Sequence, residues 1–199
     1  MKSNSKIINV TKPTLPELKD YLFYLEEIWK SRCLSNRGPF AIMLEEELKS
    51  FLKVNHIGLV ANGALALQLA IKSLNIKGSV ITTPFSYVAT TNSILWENCN
   101  PIFVDIDENT LCINSELIES KITQDTSAIM ATHVYGNPCN VKLIERIAKQ
   151  YKLKVLYDAA HAFNIKIDGK SILNFGDASI LSFHATKLFH TAEGGAVIC

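Results

Sequence analysis

Short apolar runs alternate with helical patterns along most of the chain. Four helical stretches, 64–74, 88–96, 114–122 and 140–151, separate the first five of these runs. The apolar runs lack polar alternation, which is typical of parallel strands buried on both faces. There are seven of them: 57–61, 79–82, 101–105, 128–132, 154–157, 179–182 and 196–199. Strands that alternate with helices predict a layered α/β domain with a mostly parallel sheet. The last two runs are too close together for a helix between them, so we expect mixed strand directions there.

The N-terminal part of the chain has a different pattern. Apolar residues recur at helical spacing over 18–29, and Thr14-Leu15-Pro16-Glu17 has the form of a capping box ahead of them. A breaker at 34–39 separates this predicted helix from a second helical pattern. We therefore divide the chain into an N-terminal helical segment with its turn, 1–38, and a main domain, 39–199.

Composition and charge exclude several classes of protein. The 199 residues carry 20 Lys and Arg against 19 Asp and Glu, and 48% of them are hydrophobic. Such a chain is too apolar and too evenly charged to be disordered, and it has no basic excess for a nucleic acid or an anionic membrane. No run approaches the roughly 20 apolar residues that cross a bilayer. The first residues carry only a few apolar positions before polar residues return, so we expect no secretory signal there.

The cysteines give a further expectation about location and metals. There are five, scattered without a Cys-x-x-Cys pair or a zinc-ligand spacing. We expect reduced thiols in a cytoplasmic protein, and no metal site.

One lysine and one aspartate follow buried runs. Lys187 comes after the run 179–182 and before Gly194 and Gly195, with apolar residues around it. A lysine held in such surroundings has a lowered pKa and can act as a neutral amine nucleophile, although a solvated surface lysine is the alternative. Asp158 ends the run before that, where carboxylates face the ligand clefts of open α/β sheets. A helix N-cap is the alternative for Asp158.

Three further features lie where strands end. His161 follows Asp158 by three residues, so both can face one side if a helical turn follows, while a structural histidine is the alternative. In Ala61-Asn62-Gly63-Ala64, small residues between a strand and a helix let backbone N–H groups approach an anion. Tyr87 places an aromatic ring at the same edge of the sheet, unless it is a core or loop aromatic.

Taken in order, these features resemble the fold-type I pyridoxal-phosphate enzymes, and more closely the DegT-type nucleotide-sugar aminotransferase family. The matching pieces extend from about residue 34 to the end of the chain, and the last two are highly specific together. They are Leu34-Ser35-Asn36-Arg37-Gly38-Pro39, Ala61-Asn62-Gly63-Ala64-Leu65-Ala66-Leu67, Tyr87-Val88-Ala89-Thr90, His133-Val134-Tyr135-Gly136-Asn137-Pro138, Tyr157-Asp158-Ala159-Ala160-His161-Ala162-Phe163 and Ser182-Phe183-His184-Ala185-Thr186-Lys187. The Ser-Phe-His-x-Thr-Lys piece, 182–187, and the Glu-Gly-Gly piece, 193–195, are most similar to the branch that acts on dTDP-linked 4-amino- or keto-6-deoxyhexoses.

The resemblance implies a three-layer α/β/α large domain that binds pyridoxal 5′-phosphate, and it implies a role for each matched residue. Lys187 would form a Schiff base with the cofactor aldehyde and then move a proton as general base and acid. Asp158 would pair with the pyridine nitrogen and keep it protonated, which makes the cofactor an electron sink. The remaining expected contacts are stacking by Tyr87, a hydrogen bond near the 3-oxygen from His161, and a phosphate site made by the N–H groups of Gly63 and Ala64 with the Ser182 hydroxyl.

The implied reaction is transfer of an amino group from an amino acid, with glutamate as the expected donor, to a keto group of a nucleotide-linked deoxysugar. The pathway would be surface-polysaccharide or antibiotic-sugar synthesis. A homodimer is implied because such sites draw residues from two subunits, and the turn 36–39 is the expected contribution of this stretch. Relatives carry Thr or Ser at the position of Ala64, so we expect one phosphate contact fewer here.

Three alternatives accompany this interpretation. The chain stops at Cys199 inside an apolar run, whereas relatives continue into a small C-terminal domain, so we expect a shortened sequence that lacks this domain. A catalytically inactive remnant is then the main alternative, and the sequence beyond Cys199 would distinguish the two. Dehydratases of the family replace the Schiff-base lysine by histidine, which the intact Lys187 disfavours. A nicotinamide oxidoreductase on a Rossmann sheet lacks its glycine fingerprint here.

Overall fold

The computed structural model describes residues 8–199, so the first seven residues of the predicted segment 1–38 lie outside the described part. Within that part there are five α-helices: α1 (Leu18–Ser31), α2 (Pro39–Leu52), α3 (Gly63–Ser73), α4 (Val88–Trp96) and α5 (Val141–Tyr151). The strands are β1 (Ile57–Val60), β2 (Ser79–Thr82), β3 (Asn100–Phe103), β4 (Thr126–Thr132), β5 (Lys154–Asp158), β6 (Lys166–Ile167), β7 (Lys170–Ser171), β8 (Ala178–Ser182) and β9 (Gly195–Ile198). No helix of residues 8–199 is both long and apolar enough to cross a membrane.

Seven of these strands form one sheet, in the order β1-β9-β8-β5-β4-β2-β3. The β2–β3, β2–β4, β4–β5 and β5–β8 pairs are parallel, whereas β9 is antiparallel to both β1 and β8. The predicted mostly parallel sheet is therefore confirmed, and so are the mixed directions at its last two strands. In this arrangement the carboxyl ends of β4, β5 and β8 meet at one edge of the sheet.

The sheet is covered on both faces, because alternate residues of each strand point into different cores. In β4, Ile129 and Ala131 pack into the core that contains α2 and α5. Ala128 and Met130, which alternate with them along the strand, pack into the core that contains α3 and α4. The predicted three-layer α/β/α architecture is thus confirmed, with uninterrupted apolar strands buried on both sides.

Asparagine side chains start two of the covering helices. Asn62 Oδ1 accepts a hydrogen bond from the Leu65 N–H at the start of α3, at 2.9 Å, and Asn140 Oδ1 accepts one from the Leu143 N–H at the start of α5, at 3.2 Å. Each bond satisfies one of the N–H groups that a helix leaves unpaired at its N-terminus. The cap at Asn62 fixes where α3 begins, and α3 begins at the edge of the sheet where the strands end.

Two local predictions are wrong. The stretch 114–122 forms two separate turns of 3₁₀-helix, Ser115–Leu117 and Glu119–Lys121, and not an α-helix. Only short apolar stretches are available there, so the segment has no continuous apolar face to bury. The capping box is not formed either: α1 begins at Leu18 with Glu17 as its N-cap, and no side chain bonds that cap. The Thr14 carbonyl instead accepts a hydrogen bond from His190 Nε2 at 2.9 Å.

The backbone of β9 approaches the start of α3 closely, and this contact requires glycine. A Cβ placed on Gly195 would lie 2.6 Å from the Asn62 carbonyl carbon and 2.8 Å from the Gly63 nitrogen. Both neighbours are backbone atoms at the N-terminus of α3, so they cannot move without displacing the start of the helix. The last strand and the first turn of α3 are therefore held at a fixed separation.

We expect Gly195→Ala to lower the free energy of unfolding by about 3 kcal/mol, at the upper end of the range for overpacked cores. Urea denaturation of the chain measures this. Gly58→Ala on the adjacent strand is the control, since a Cβ there meets no atom within 4 Å. Equal losses in the two variants would contradict the steric argument.

Candidate active site

A cavity of about 530 Å³ lies at the carboxyl ends of β4, β5 and β8, beside the N-termini of α3 and α4. Its size is in the range of small-molecule sites. The structure brings all seven predicted site residues to its walls: Gly63, Ala64, Tyr87, Asp158, His161, Ser182 and Lys187. They come from four separate stretches of the chain, which only the fold places together.

The Asp158 carboxylate is held on both of its oxygens. It is 4% exposed, and Oδ2 accepts a hydrogen bond from the Thr90 hydroxyl at 2.7 Å while Oδ1 accepts one from the Ala160 N–H at 3.1 Å. The chain continues from Asp158 into a turn, so the alternative that Asp158 caps a helix is wrong. An ionised carboxylate with two donors is fixed in orientation and keeps further lone pairs for a ligand in the cavity.

Lys187 lies in the connection between β8 and β9 and is partly buried. Burial lowers the pKa of its amine from the ordinary lysine value, and the nearby Asp158 carboxylate acts in the opposite direction with a smaller effect. A lowered pKa increases the neutral fraction of the amine at any given pH below the ordinary value. Lys187 is therefore not a fully solvated surface lysine, and the direction of its pKa shift favours the neutral amine that a nucleophile requires.

His161 is oriented by the loop that follows β4. Its Nδ1 accepts a hydrogen bond from the Tyr135 N–H at 3.3 Å, and the two rings stack with centroids 5.8 Å apart and an interplanar angle of 5°. Desolvation by the surrounding protein and the charge of Lys187 lower the His161 pKa, and Asp158 opposes them. With Nδ1 accepting, a neutral ring carries its proton on Nε2 and can donate from there.

The start of α3 and the end of β8 form a subsite suited to an anion. Gly63 and Ala64 are the first residues of α3, where N–H groups have no partner inside the helix. A Cβ on Gly63 would lie 3.0 Å from the Ser182 Cβ, which shows how closely the serine side chain approaches the helix. Backbone donors, the positive end of the helix and a hydroxyl together suit a phosphate.

Tyr87 lies at the rim of the cavity as the N-cap residue of α4, with 74% of its surface exposed. One face of its ring is consequently available to an aromatic ligand. The side chains around the cavity fit pyridoxal 5′-phosphate: the anion subsite, a buried carboxylate, an amine of lowered pKa and a free aromatic ring border one space. Among residues 8–199, no group of three His, Cys, Asp or Glu side chains is placed to hold a metal ion.

Several residues at the cavity were not predicted. Thr90 contacts Asp158, Thr132 lines the wall, and His184 Nε2 lies 3.6 Å from Glu193 Oε1. All of these residues except Thr132 belong to pieces that matched the family, but a motif match alone assigns no contact to them. Thr132 would have been suggested by its place at the end of β4, in register with Asp158.

The fold and the cavity together have the form of the large domain of pyridoxal-phosphate-dependent transferases. The profile of the DegT/DnrJ/EryC1/StrS aminotransferase family matches residues 17–199. The chain belongs to this family. Membership confirms the resemblance inferred from the sequence, and it does not fit the nicotinamide oxidoreductase alternative.

Individual relatives agree with this assignment. The chain is 51% identical over 194 residues to a dTDP-4-amino-4,6-dideoxy-D-glucose transaminase of Shigella dysenteriae, covering 98% of this chain and 53% of that protein. Among solved structures, it matches DesI in the presence of its TDP-sugar product with a TM-score of 0.93 and 31% identity, over 96% of this chain and 49% of DesI. It also matches NtdA of Bacillus subtilis with bound cofactor PMP, with a TM-score of 0.85 and 29% identity, over 97% and 46% of the two chains. The chain thus spans about half the length of the relatives it matches.

Proposed function

We propose that this chain is the cofactor-binding half of a pyridoxal-phosphate-dependent aminotransferase, which transfers an amino group from an amino acid to a keto group of a nucleotide-linked deoxysugar. Glutamate is the proposed donor, and a dTDP-linked 4-keto-6-deoxyhexose is the proposed acceptor. The observation that carries the proposal is the meeting of Lys187, Asp158 and the N-terminus of α3 around one cavity. The substrate class is supported by the Shigella dysenteriae transaminase and by DesI, whose names specify dTDP- and TDP-sugars.

In this proposal, the chain's own residues bind and orient the cofactor. The N–H groups of Gly63 and Ala64 and the Ser182 hydroxyl hold its phosphate at the positive end of α3. Tyr87 would stack on one face of the cofactor ring, and His161 would donate from Nε2 to the ring oxygen; both line the cavity. The absence of a hydroxyl at Ala64 leaves the phosphate with one side-chain donor fewer than in relatives with Thr or Ser.

Lys187 and Asp158 then perform the chemistry. When bound, the cofactor supplies a protonated, electron-withdrawing ring that stabilises negative charge on the reacting carbon. The Asp158 carboxylate, fixed by Thr90 and Ala160, holds the proton on the ring nitrogen. Lys187 Nζ would take the proton from the α-carbon of the amino donor and deliver it to the former aldehyde carbon of the cofactor, because burial lowers the pKa of Lys187 and so favours its neutral amine.

The proposal includes a homodimer in a cytoplasmic setting. Exposed aromatic side chains on α1, Tyr21, Phe23 and Trp29, support an interface, because none of the residues of this helix is buried in the single chain. The predicted turn 36–39 is connected to α2 by an ion pair between Arg37 and Glu45 at 3.1 Å. The cytoplasmic setting is proposed because the five cysteines are scattered, without a pattern of paired spacings. Sedimentation of the protein that carries this chain measures the assembly.

The function is tested by following the two halves of the reaction separately. Glutamate added to the protein with pyridoxal 5′-phosphate should convert the aldehyde form of the cofactor to the amine form and release one equivalent of 2-oxoglutarate. A dTDP-linked 4-keto-6-deoxyhexose should then restore the aldehyde form and yield the amino sugar. Absorbance follows both halves, and mass spectrometry identifies the sugar.

The same keto sugar without its nucleotide is the control for the acceptor, and we expect it to react at least tenfold more slowly. If glutamate released no 2-oxoglutarate but another amino acid converted the cofactor to its amine form, the proposed donor would be wrong. Failure with every amino acid would contradict the aminotransferase function itself.

A further inference from the structure

The shortest buried side-chain contact at the cavity joins two elements that are far apart in the sequence. The Thr90 hydroxyl, on α4, donates to Asp158 Oδ2, at the end of β5, over 2.7 Å. Thr90 is fully buried and Asp158 is 4% exposed, so water does not compete for this hydrogen bond. A hydrogen bond between a hydroxyl and a buried carboxylate is stronger than one between neutral groups.

The hydroxyl of Thr90 is not used inside its own helix. A threonine in a helix commonly bonds the carbonyl of the preceding turn. Ser93, one turn further along α4, does so: its hydroxyl donates to the Thr90 carbonyl at 2.8 Å. The Thr90 side chain instead points across to β5, while its N–H bonds the Tyr87 carbonyl at 3.0 Å.

The first turn of α4 therefore connects two parts of the cavity. Tyr87 begins the helix at the rim, and Thr90 reaches the carboxylate in the wall. With the Ala160 N–H on Oδ1, the carboxylate has a donor on each oxygen and cannot rotate without breaking one of them. The orientation of this carboxylate is thus determined by α4 as well as by its own strand.

We infer that Thr90 is a positioning residue, which aims the Asp158 carboxylate at the ring nitrogen of the cofactor. The inference rests on the proposed function, because it assigns a partner to Asp158 inside the same cavity. Thr90 does not touch the cofactor in this account; it acts only through Asp158. Its loss should weaken the recognition of a ring nitrogen and leave the recognition of the phosphate unaffected.

The first test measures the Thr90–Asp158 contact in the cofactor-free chain by a double-mutant cycle. Thr90→Val keeps the shape of the side chain and removes the hydroxyl, and Asp158→Asn removes the charge. We expect the combined variant to lose less stability, measured as the urea midpoint, than the sum of the two single losses. Ser93→Ala, which removes a buried hydroxyl from the same helix, should be additive with Asp158→Asn. If the stability losses of Thr90→Val and Asp158→Asn were additive, the proposed interaction between the two side chains would be wrong.

The second test measures what the contact does for the ligand. Binding of pyridoxal 5′-phosphate is compared with binding of an analogue in which carbon replaces the ring nitrogen. We expect Thr90→Val to raise the dissociation constant of the natural cofactor by about tenfold, the scale of a hydrogen bond to a charged group. The dissociation constant of the analogue should change less than twofold in Thr90→Val. Thr90→Ser keeps a hydroxyl, so it should bind the natural cofactor in preference to the analogue as the wild type does.

If Thr90 had a purely structural role, Thr90→Val would weaken the binding of both ligands equally, and that result would overturn the inference. Ser93→Ala is the control for such a structural effect, and we expect it to change the binding of the two ligands equally. Failure of the unaltered protein to bind either ligand would contradict the proposed function instead. The cycle in the cofactor-free chain would still decide whether Thr90 holds Asp158. The two proposals can therefore fail separately.

Discussion

The Lys187→Ala variant is expected to lose covalent attachment of pyridoxal 5′-phosphate and to transfer amino groups about 10³-fold more slowly than the unaltered protein, within the range for loss of a general acid–base group. The physical reason is the partly buried amine, whose pKa is lowered by burial and which lies in the same cavity as Asp158. Borohydride reduction followed by peptide mapping measures the attachment, and release of 2-oxoglutarate measures the rate.

Exposed Lys166 supplies the matched control for this experiment. Aldehydes react slowly with any neutral amine, and Lys166 is exposed and does not line the cavity. Lys166→Ala should leave both the attachment and the rate unchanged. If the Lys187→Ala variant still retained the cofactor on one specific peptide, another lysine would be the nucleophile and the assignment would be wrong.

The sequence predicted the walls of this cavity better than the contacts within them. Strand ends converge at one edge of a parallel sheet whatever the details of packing, so Asp158 and Ser182 could be placed there from the apolar runs alone. Lys187 and His161 needed the motif as well, because each lies in an irregular segment. The role of each of these residues remains a prediction until it is tested.

The contacts depend on features that a local pattern does not contain. The Thr90–Asp158 hydrogen bond requires the rotation of α4 about its axis, which is fixed by packing against the sheet. The Tyr135–His161 stack requires Tyr135 to adopt a φ of 53°, a left-handed conformation that tyrosine rarely takes. The stretch 114–122 does not form the predicted α-helix, because helical propensity without an apolar face gives little tertiary stabilisation.

Asp158→Asn is expected to reduce amino transfer by about 10²-fold, as for other preorganised electrostatic contacts in active sites. The amide has the size of the carboxylate but no charge, so it cannot hold a proton on the ring nitrogen of the cofactor. The Lys187 amine remains, and covalent attachment of the cofactor should therefore persist. Rates under saturating cofactor and the yield of borohydride-fixed Lys187 measure the two effects separately.

The same variant should change the titration of Lys187 in a direction that the electrostatics specify. The Asp158 charge raises the Lys187 pKa against the lowering effect of burial. Removing that charge leaves burial unopposed, so the Lys187 pKa should fall further and its amine should lose its proton at a lower pH. The pH dependence of amine modification in the cofactor-free chain measures this shift. Asp168→Asn, at an exposed ion pair with Lys142, should not change it. An unchanged Lys187 titration in Asp158→Asn would show that the two groups do not interact across the cavity, and an upward shift would contradict the direction of the interaction.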